Sequence, residues 1–296
     1  FVQLLPVTVK ESLRSADAAL DTQLLECIGS TVPIPSILFN RIEEFYHSYQ
    51  ICGGLPLSAR SMIDNSGLEN VEKILEENLM AYEIDFSKHS LHSDIPKIHA
   101  IWNSTPEQLS RENNKFVYRV VREGARAREY ENALQWLVDA GMLYRVKLCE
   151  KPELPLSFYE NNTAFKVYLL DIGLLRKLSK LPAEIFVSST NLFTEFKGAL
   201  AENFVLTSLL AQGFDIPNYW TLQGNKAEVD FLIANKLAVI PIEVKSDRRI
   251  SGKSFAEYDK KYNPSLRIRL SMNNIKKDGN LLNLPIFMAD WIKEYV

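Results

Sequence analysis

Residues 227–247, AEVDFLIANKLAVIPIEVKSD, constrain the fold more than any other stretch of the chain. Two runs rich in β-branched and aromatic residues flank the short polar turn Ala234-Asn235-Lys236, which is the pattern of a β-hairpin. Each run carries charge where a buried strand is expected to be apolar: Asp230 in the first, Glu243 and Lys245 in the second. Side chains alternate along a strand, so Glu243 and Lys245 share one face while Ile240, Ile242 and Val244 occupy the other. Asp230 is likewise out of phase with Val229 and Phe231, and pairing the runs through the turn brings it towards Glu243 and Lys245. Upstream, GALAENFV places Glu202 on a helix expected to pack beside the hairpin.

Carboxylates converging with one lysine make a hard-oxygen site suited to Mg²⁺. The metal would lower the pKa of a bound water, and the lysine would orient the nucleophile or neutralise charge developing on a phosphate. The expected catalytic set is Asp230, Glu243, Lys245 and Glu202, with Asp230 and Glu243 as the metal ligands. The same residues also fit a structural ion-pair network on a sheet face. Acid-x-Lys recurs at Glu195–Lys197 and Asp259–Lys261 in helical surroundings, so the triplet alone does not decide between the two.

The rest of the chain divides into three expected regions. Residues 1–100 read as helical: PSILFNRIEEFYHSYQICGGLP has apolar residues at helical spacing and stops at Gly53-Gly54 before Pro56. LENVEKILEENLMAYEIDF is a long amphipathic stretch. Residues 101–180 change character, because ARAREYENALQWLVDAGML is a helix stopped by Gly141 and followed at once by a strand. That is the shape of a winged helix-turn-helix domain, which would place Arg119, Arg122, Arg126 and Arg128 on DNA phosphates. The plainer alternative pairs these arginines with Glu123, Glu129 and Glu131, and the net charge of only +2 over 101–151 leans that way. Residues 190–296 run helix, three strands, helix, strand, an α/β module. The expected fold class is therefore α+β or α/β: a helical region and a winged-helix domain followed by an α/β domain.

A net charge of −3 over 296 residues gives no general attraction to nucleic acid, so any basic surface must be local. One such stretch is 240–277, with ten Lys/Arg against four Asp/Glu, where Arg248, Arg249 and Lys253 are the expected DNA contacts beside Arg126 and Arg128. Three well-separated cysteines argue for a reducing compartment, and no membrane span or signal peptide is visible, so the expected location is cytoplasmic with no membrane partner. Neither G-x-x-x-x-G-K-[ST] nor G-x-G-x-x-G occurs, so no phosphate-cradling loop lies in the sequence. The opening FVQLLPVTVKESL is a strand-like run followed by a capping-box pattern from Thr8 to Glu11, and it reads as the continuation of something longer.

Taken together, KGALAENFV, AEVDFLI, VIPIEVKSD, KSFAEYDKKYNPSLRIRLS and NLLNLPIFMAD resemble the C-terminal portion of a bacterial and archaeal family of AAA-type P-loop ATPases that carry a C-terminal domain of unknown function. YQICGGLP, IWNSTPEQLSRENNKFVY, GARAREYENALQWLVDAGML and FKVYLLDIGLL resemble the same family in the same order. The resemblance implies an ATPase core, a helical and winged-helix region, and a restriction-endonuclease-like domain of the PD-(D/E)xK type. On that pattern Glu202, Asp230, Glu243 and Lys245 match the nuclease-like motif, with Val229 where proline often stands. ATP is accordingly expected to bind only an upstream ATPase domain, while DNA is the partner expected from the basic stretches and a homo-oligomer is an open expectation. Two functions follow from different classes: a Mg-dependent nuclease under the control of an ATPase, or a non-catalytic DNA- or protein-binding adaptor of an ATP-driven protein.

Overall fold

The computed structural model describes residues 4–111, 115–186, 194–222, 224, 227–248 and 252–296, without the side chain of His89. The chain opens with the helices α1 (Val9–Ala16), α2 (Ala18–Leu25), α3 (Ser36–Cys52), α4 (Pro56–Ile63), α5 (Leu68–His89), α6 (Ile95–Ser110), α7 (Tyr118–Val121) and α8 (Ala127–Asp139). Strands β1 (Leu143–Cys149) and β2 (Glu160–Leu169) follow, then α9 (Ile172–Leu178) and α10 (Thr194–Ala211). The remainder is β3 (Asn218–Thr221), β4 (Glu228–Asn235), β5 (Ala238–Val244), α11 (Lys253–Tyr262), β6 (Arg267–Ser271), β7 (Lys276–Asp278) and β8 (Leu281–Pro285), with a 3₁₀ segment over Ile286–Glu294. The architecture is mixed α and β. Among the described residues eight strands form one mixed sheet in the order β2-β1-β3-β4-β5-β6-β8-β7.

Two compact units are assembled from discontinuous segments. The first comprises Phe1–Val7, His47–Arg145 and Lys166–Asn203. The second comprises Thr8–Tyr46, Val146–Phe165 and Phe204–Val296.

In the first unit, Phe86 of α5 meets Trp102 and His99 of α6 and Trp136 of α8 edge-on, at ring separations of 5.3, 5.5 and 5.7 Å. Such T-shaped contacts are the favoured geometry for aromatic pairs. A second junction forms where α3 ends against the start of α9. Asp171 caps α9 by accepting from the Leu174 amide at 2.9 Å, and its other oxygen accepts from the Gly54 amide at 2.6 Å. Gly53 adopts φ +67°, a left-handed backbone that stops α3, and a side chain there would come within 2.3 Å of the Asp171 carboxylate. Arg176, 1 % exposed, donates to the carbonyls of Ile51 and Leu181 at 3.0 Å each and pairs with Glu72 at 2.6 Å.

In the second unit the expected capping box is formed: the Thr8 side chain accepts from the Glu11 amide and the Glu11 carboxylate accepts from the Thr8 amide. Asp290 adds an acceptor for the Lys10 amide at 3.0 Å. The antiparallel β4–β5 hairpin pairs Phe231 with Ile242 and Asn235 with Ala238, and β5 continues the sheet through parallel pairing to β6. One sheet face is apolar, with Phe231, Ile242, Ile268, Leu270 and Leu284 all fully buried. Over the other face lies α11, whose Phe255 ring sits beneath the guanidinium groups of Arg267 and Arg269 at 5.4 and 5.7 Å. Trp220, Val229, Leu232, Phe255 and Tyr258 close the core there.

Candidate functional site

The hairpin register positions the charged residues. The ladder pairs Phe231 with Ile242 and Leu232 with Pro241, so Asp230 and Glu243 each lie one residue beyond its end, where β4 also shifts register against β3. Both are buried, Asp230 to 7 % and Glu243 to 1 % exposure. The Asp230 Oδ2 atom accepts from the Val244 amide at 2.7 Å, taking up a backbone donor at the end of β5. Lys245, two residues past Glu243 on the same face, brings its Nζ within 3.5 Å of Glu243 Oε1.

Arg269 completes the group. Parallel pairing of β5 with β6 puts Arg269 beside Glu243, and its Nε donates to Glu243 Oε2 at 2.7 Å. The row extends to Asn283 of β8, which accepts from the Ser271 hydroxyl at 2.8 Å. Glu243 thus lies between two cations, while its Oε1 atom is buried without a hydrogen bond. Sequence reasoning missed Arg269. The signal was present in LRIRLS, where Arg267 and Arg269 alternate with Ile268 and Leu270, but the parallel β5–β6 register comes only from the crossover through α11.

The donor set is compatible with a hard cation. Asp230 and Glu243 would hold it, the Glu243 Oε1 atom offers an oxygen not engaged in a hydrogen bond, and Mg²⁺ commonly takes one or two carboxylates with water in its other positions. No group of three or more His, Cys, Asp or Glu residues suited to a metal occurs among the described residues. Glu202 belongs to the first unit, where it accepts from the Tyr168 hydroxyl at 2.8 Å and lies 3.5 Å from the fully buried Lys166 amine. Its neighbour Asn203 bonds both the amide and the carbonyl of Leu169, at 2.7 and 2.9 Å, which stitches α10 to the end of β2.

Among the expected DNA contacts, Arg248 forms a two-pronged pair with Glu43 at 2.6 and 2.7 Å and lies over the Phe39 ring. Lys253 is exposed at the start of α11, and Arg249 lies outside the described residues. Arg119, Arg122, Arg126 and Arg128 are all exposed, and none forms an ion pair with a described residue. The carboxylate of Glu131, considered as a partner for them, instead pairs with Arg145 at 2.8 Å and accepts from the Tyr118 hydroxyl. No helix among the described residues is long and apolar enough to cross a membrane.

Comparison with known families covers most of the chain in two blocks. Residues 43–185 match a family described as Domain of unknown function (DUF8612). Residues 197–287 match Domain of unknown function (DUF4143), a domain often found in AAA-ATPase-associated proteins. No curated protein and no solved structure matches the chain.

Proposed function

We propose that the chain is the C-terminal region of an ATP-driven protein that acts on DNA. Its second unit carries a restriction-endonuclease-like domain whose Asp230, Glu243 and Lys245 form a metal-dependent phosphodiester site. A winged-helix-like element built from α8, β1 and β2 presents Arg126 and Arg128 to the duplex. The observation that carries the reading is a pair of buried carboxylates at the end of the hairpin, Asp230 accepting from the Val244 amide and Glu243 lying 3.5 Å from the Lys245 amine. The DUF4143 match supports an ATPase partner or parent, where nucleotide would bind. At the site, a divalent ion would supply Lewis acidity and a water of lowered pKa. The chain's own part is to fix the two carboxylates and to place the Lys245 ammonium where phosphate charge develops.

A second reading rests on Arg269. Its ion pair with Glu243 neutralises the carboxylate that a metal needs, and such a closed network suits a non-catalytic DNA- or protein-binding adaptor. Thermal unfolding with Mg²⁺ or Mn²⁺ separates the two. An ion held only by the folded protein at a hundredfold excess over its Kd stabilises by about 2.7 kcal/mol. The suitable control is Asp230→Asn, which keeps an acceptor for the Val244 amide while removing the charge. The catalytic reading requires a metal-induced rise in Tm that Asp230→Asn abolishes. No rise in the wild type, or a rise that persists in the Asp230→Asn, Glu243→Gln double variant, refutes it.

A further inference from the structure

The tip of the β4–β5 hairpin points to a self-association surface independent of the site above. Leu237 is 96 % exposed, more than any other large apolar side chain among the described residues. It occupies a two-residue turn with Lys236, which adopts φ +52°. The left-handed φ belongs to Lys236, and Leu237 takes the second turn position with its side chain exposed. At its base lies a cavity of about 370 Å³ lined by Leu237 itself with Pro152, Glu153, Leu154, Tyr262 and Pro264. Lys261 extends over the Tyr262 ring at 5.1 Å. Lys236 and Lys261 are exposed, and neither forms an ion pair with a described residue. The tip is therefore an apolar knob with Lys236 beside it and Lys261 at the Tyr262 wall of the cavity, whose Glu153 is paired with Lys151.

A surface of opposite character lies on α5 of the first unit. A groove of about 840 Å³ is lined by Leu68, Met80, Lys73 and the carboxylates of Glu69, Glu72, Glu76, Glu77 and Glu184, with Leu68 40 % and Met80 55 % exposed. Lys177 pairs with Glu76 and Lys73 with Glu77, whereas Glu69 and Glu184 form no ion pair with a described residue. The groove combines two exposed apolar side chains with five glutamates against one lysine. It matches the knob in both respects.

We propose that the Leu237 knob of one copy inserts into the α5 groove of a second copy, with Lys236 and Lys261 facing Glu69 and Glu184. Knob and groove are different surfaces, so the contact is head-to-tail, and each copy offers one of each. Repetition closes into a ring or runs on as an open chain. Burial of one leucine contributes roughly a tenfold to hundredfold gain in association. The opposed charges make that association weaken as salt screens them.

Sedimentation velocity across a concentration series at low and high salt tests the proposal. The wild type is expected to form species larger than a monomer at low salt and to dissociate as salt rises. Leu237→Glu changes only an exposed turn residue, and thermal unfolding verifies that it remains folded. It should weaken association by about tenfold or more. Lys236→Glu should weaken it as well, and adding Glu184→Lys to the same chain should restore it. A wild type that stays monomeric at the highest concentration and lowest salt overturns the proposal, as does association that Leu237→Glu leaves unchanged. A failure of the metal experiment has no bearing on this result.

Discussion

Asp171 offers a test in which the sign of a pH effect is fixed by the fold. Burial pushes its carboxyl up from 3.8 to about 6, against the opposing pull of the Gly54, Leu174 and Gly173 amides and of Arg176. The folded value lies above the unfolded one, so the ionised group is held at a cost near neutral pH. Its contribution to stability must therefore rise as pH falls through about 6 and level off below about 4. A shift of about 2 units corresponds to about 3 kcal/mol over the whole window, of which about 1 kcal/mol falls between about pH 7 and pH 5. Asp171→Asn cannot titrate. It also turns a donor towards the amide of Gly54 or Leu174, at a cost of about 1–3 kcal/mol that does not vary with pH. Asp290 is raised to about 6 by burial as well, so the wild type alone would mix two titrations. The substitution leaves Asp290 in place, and its contribution cancels in the difference between the two proteins. Urea unfolding of both at the two pH values should show the wild type gaining about 1 kcal/mol over Asp171→Asn on acidification. A difference that stays flat, or that moves the other way, would mean the amide cradle outweighs burial and would refute the reasoning.

Two further outcomes concern the charged row and the exposed arginines. Replacing Arg269 by Met should cost about 3–5 kcal/mol in urea unfolding, because Glu243 stays buried with Lys245 alone beside it. Adding Glu243→Gln should recover most of that loss, and a cost below about 1 kcal/mol would show that the pair is energetically idle. Charge reversal at Arg126 and Arg128 should weaken duplex binding about equally for all sequences. It should also flatten the dependence of log affinity on log salt by about 0.9 for each phosphate contact removed. Unchanged affinity would remove these arginines from any DNA interface.

Much of the second unit was legible because its signals are local. The hairpin expected within 227–247 forms at Glu228–Asn235 and Ala238–Val244, with its turn at Lys236-Leu237 rather than Ala234-Asn235-Lys236, and the helix expected after it forms at Lys253–Tyr262. The Gly53 stop of α3 and the Thr8 capping box were equally readable, since each depends on a few neighbouring residues. The face shared by Glu243 and Lys245 followed from alternation alone. What escaped notice was non-local. Arg269 reaches Glu243 through a parallel crossover, Arg248 reaches Glu43 from 205 residues away, and Glu131 turns to Arg145 rather than to the arginines beside it in sequence. Residues that look free or paired in sequence change roles once long-range partners arrive. The units are discontinuous for the same reason, because a chain that returns to an earlier segment leaves no composition boundary.

The alternation in β5 also governs which changes of length this protein can absorb. Its two faces are chemically opposed: Ile240, Ile242 and Val244 enter the apolar layer, while Glu243 sits beside Arg269. A single residue inserted between Ile240 and Ile242 would shift one end of the strand by one pleat and drive the Glu243 carboxylate in among Ile268 and Leu270. An inserted pair would preserve the facing of every side chain and move the row one step along β6. Within the ladder, then, an even insertion keeps every facing, whereas an odd one needs a bulge such as the irregularity β4 already shows against β3. Odd ones have an outlet at Lys236 and Leu237, where the turn lies outside the ladder and can lengthen without turning a strand over.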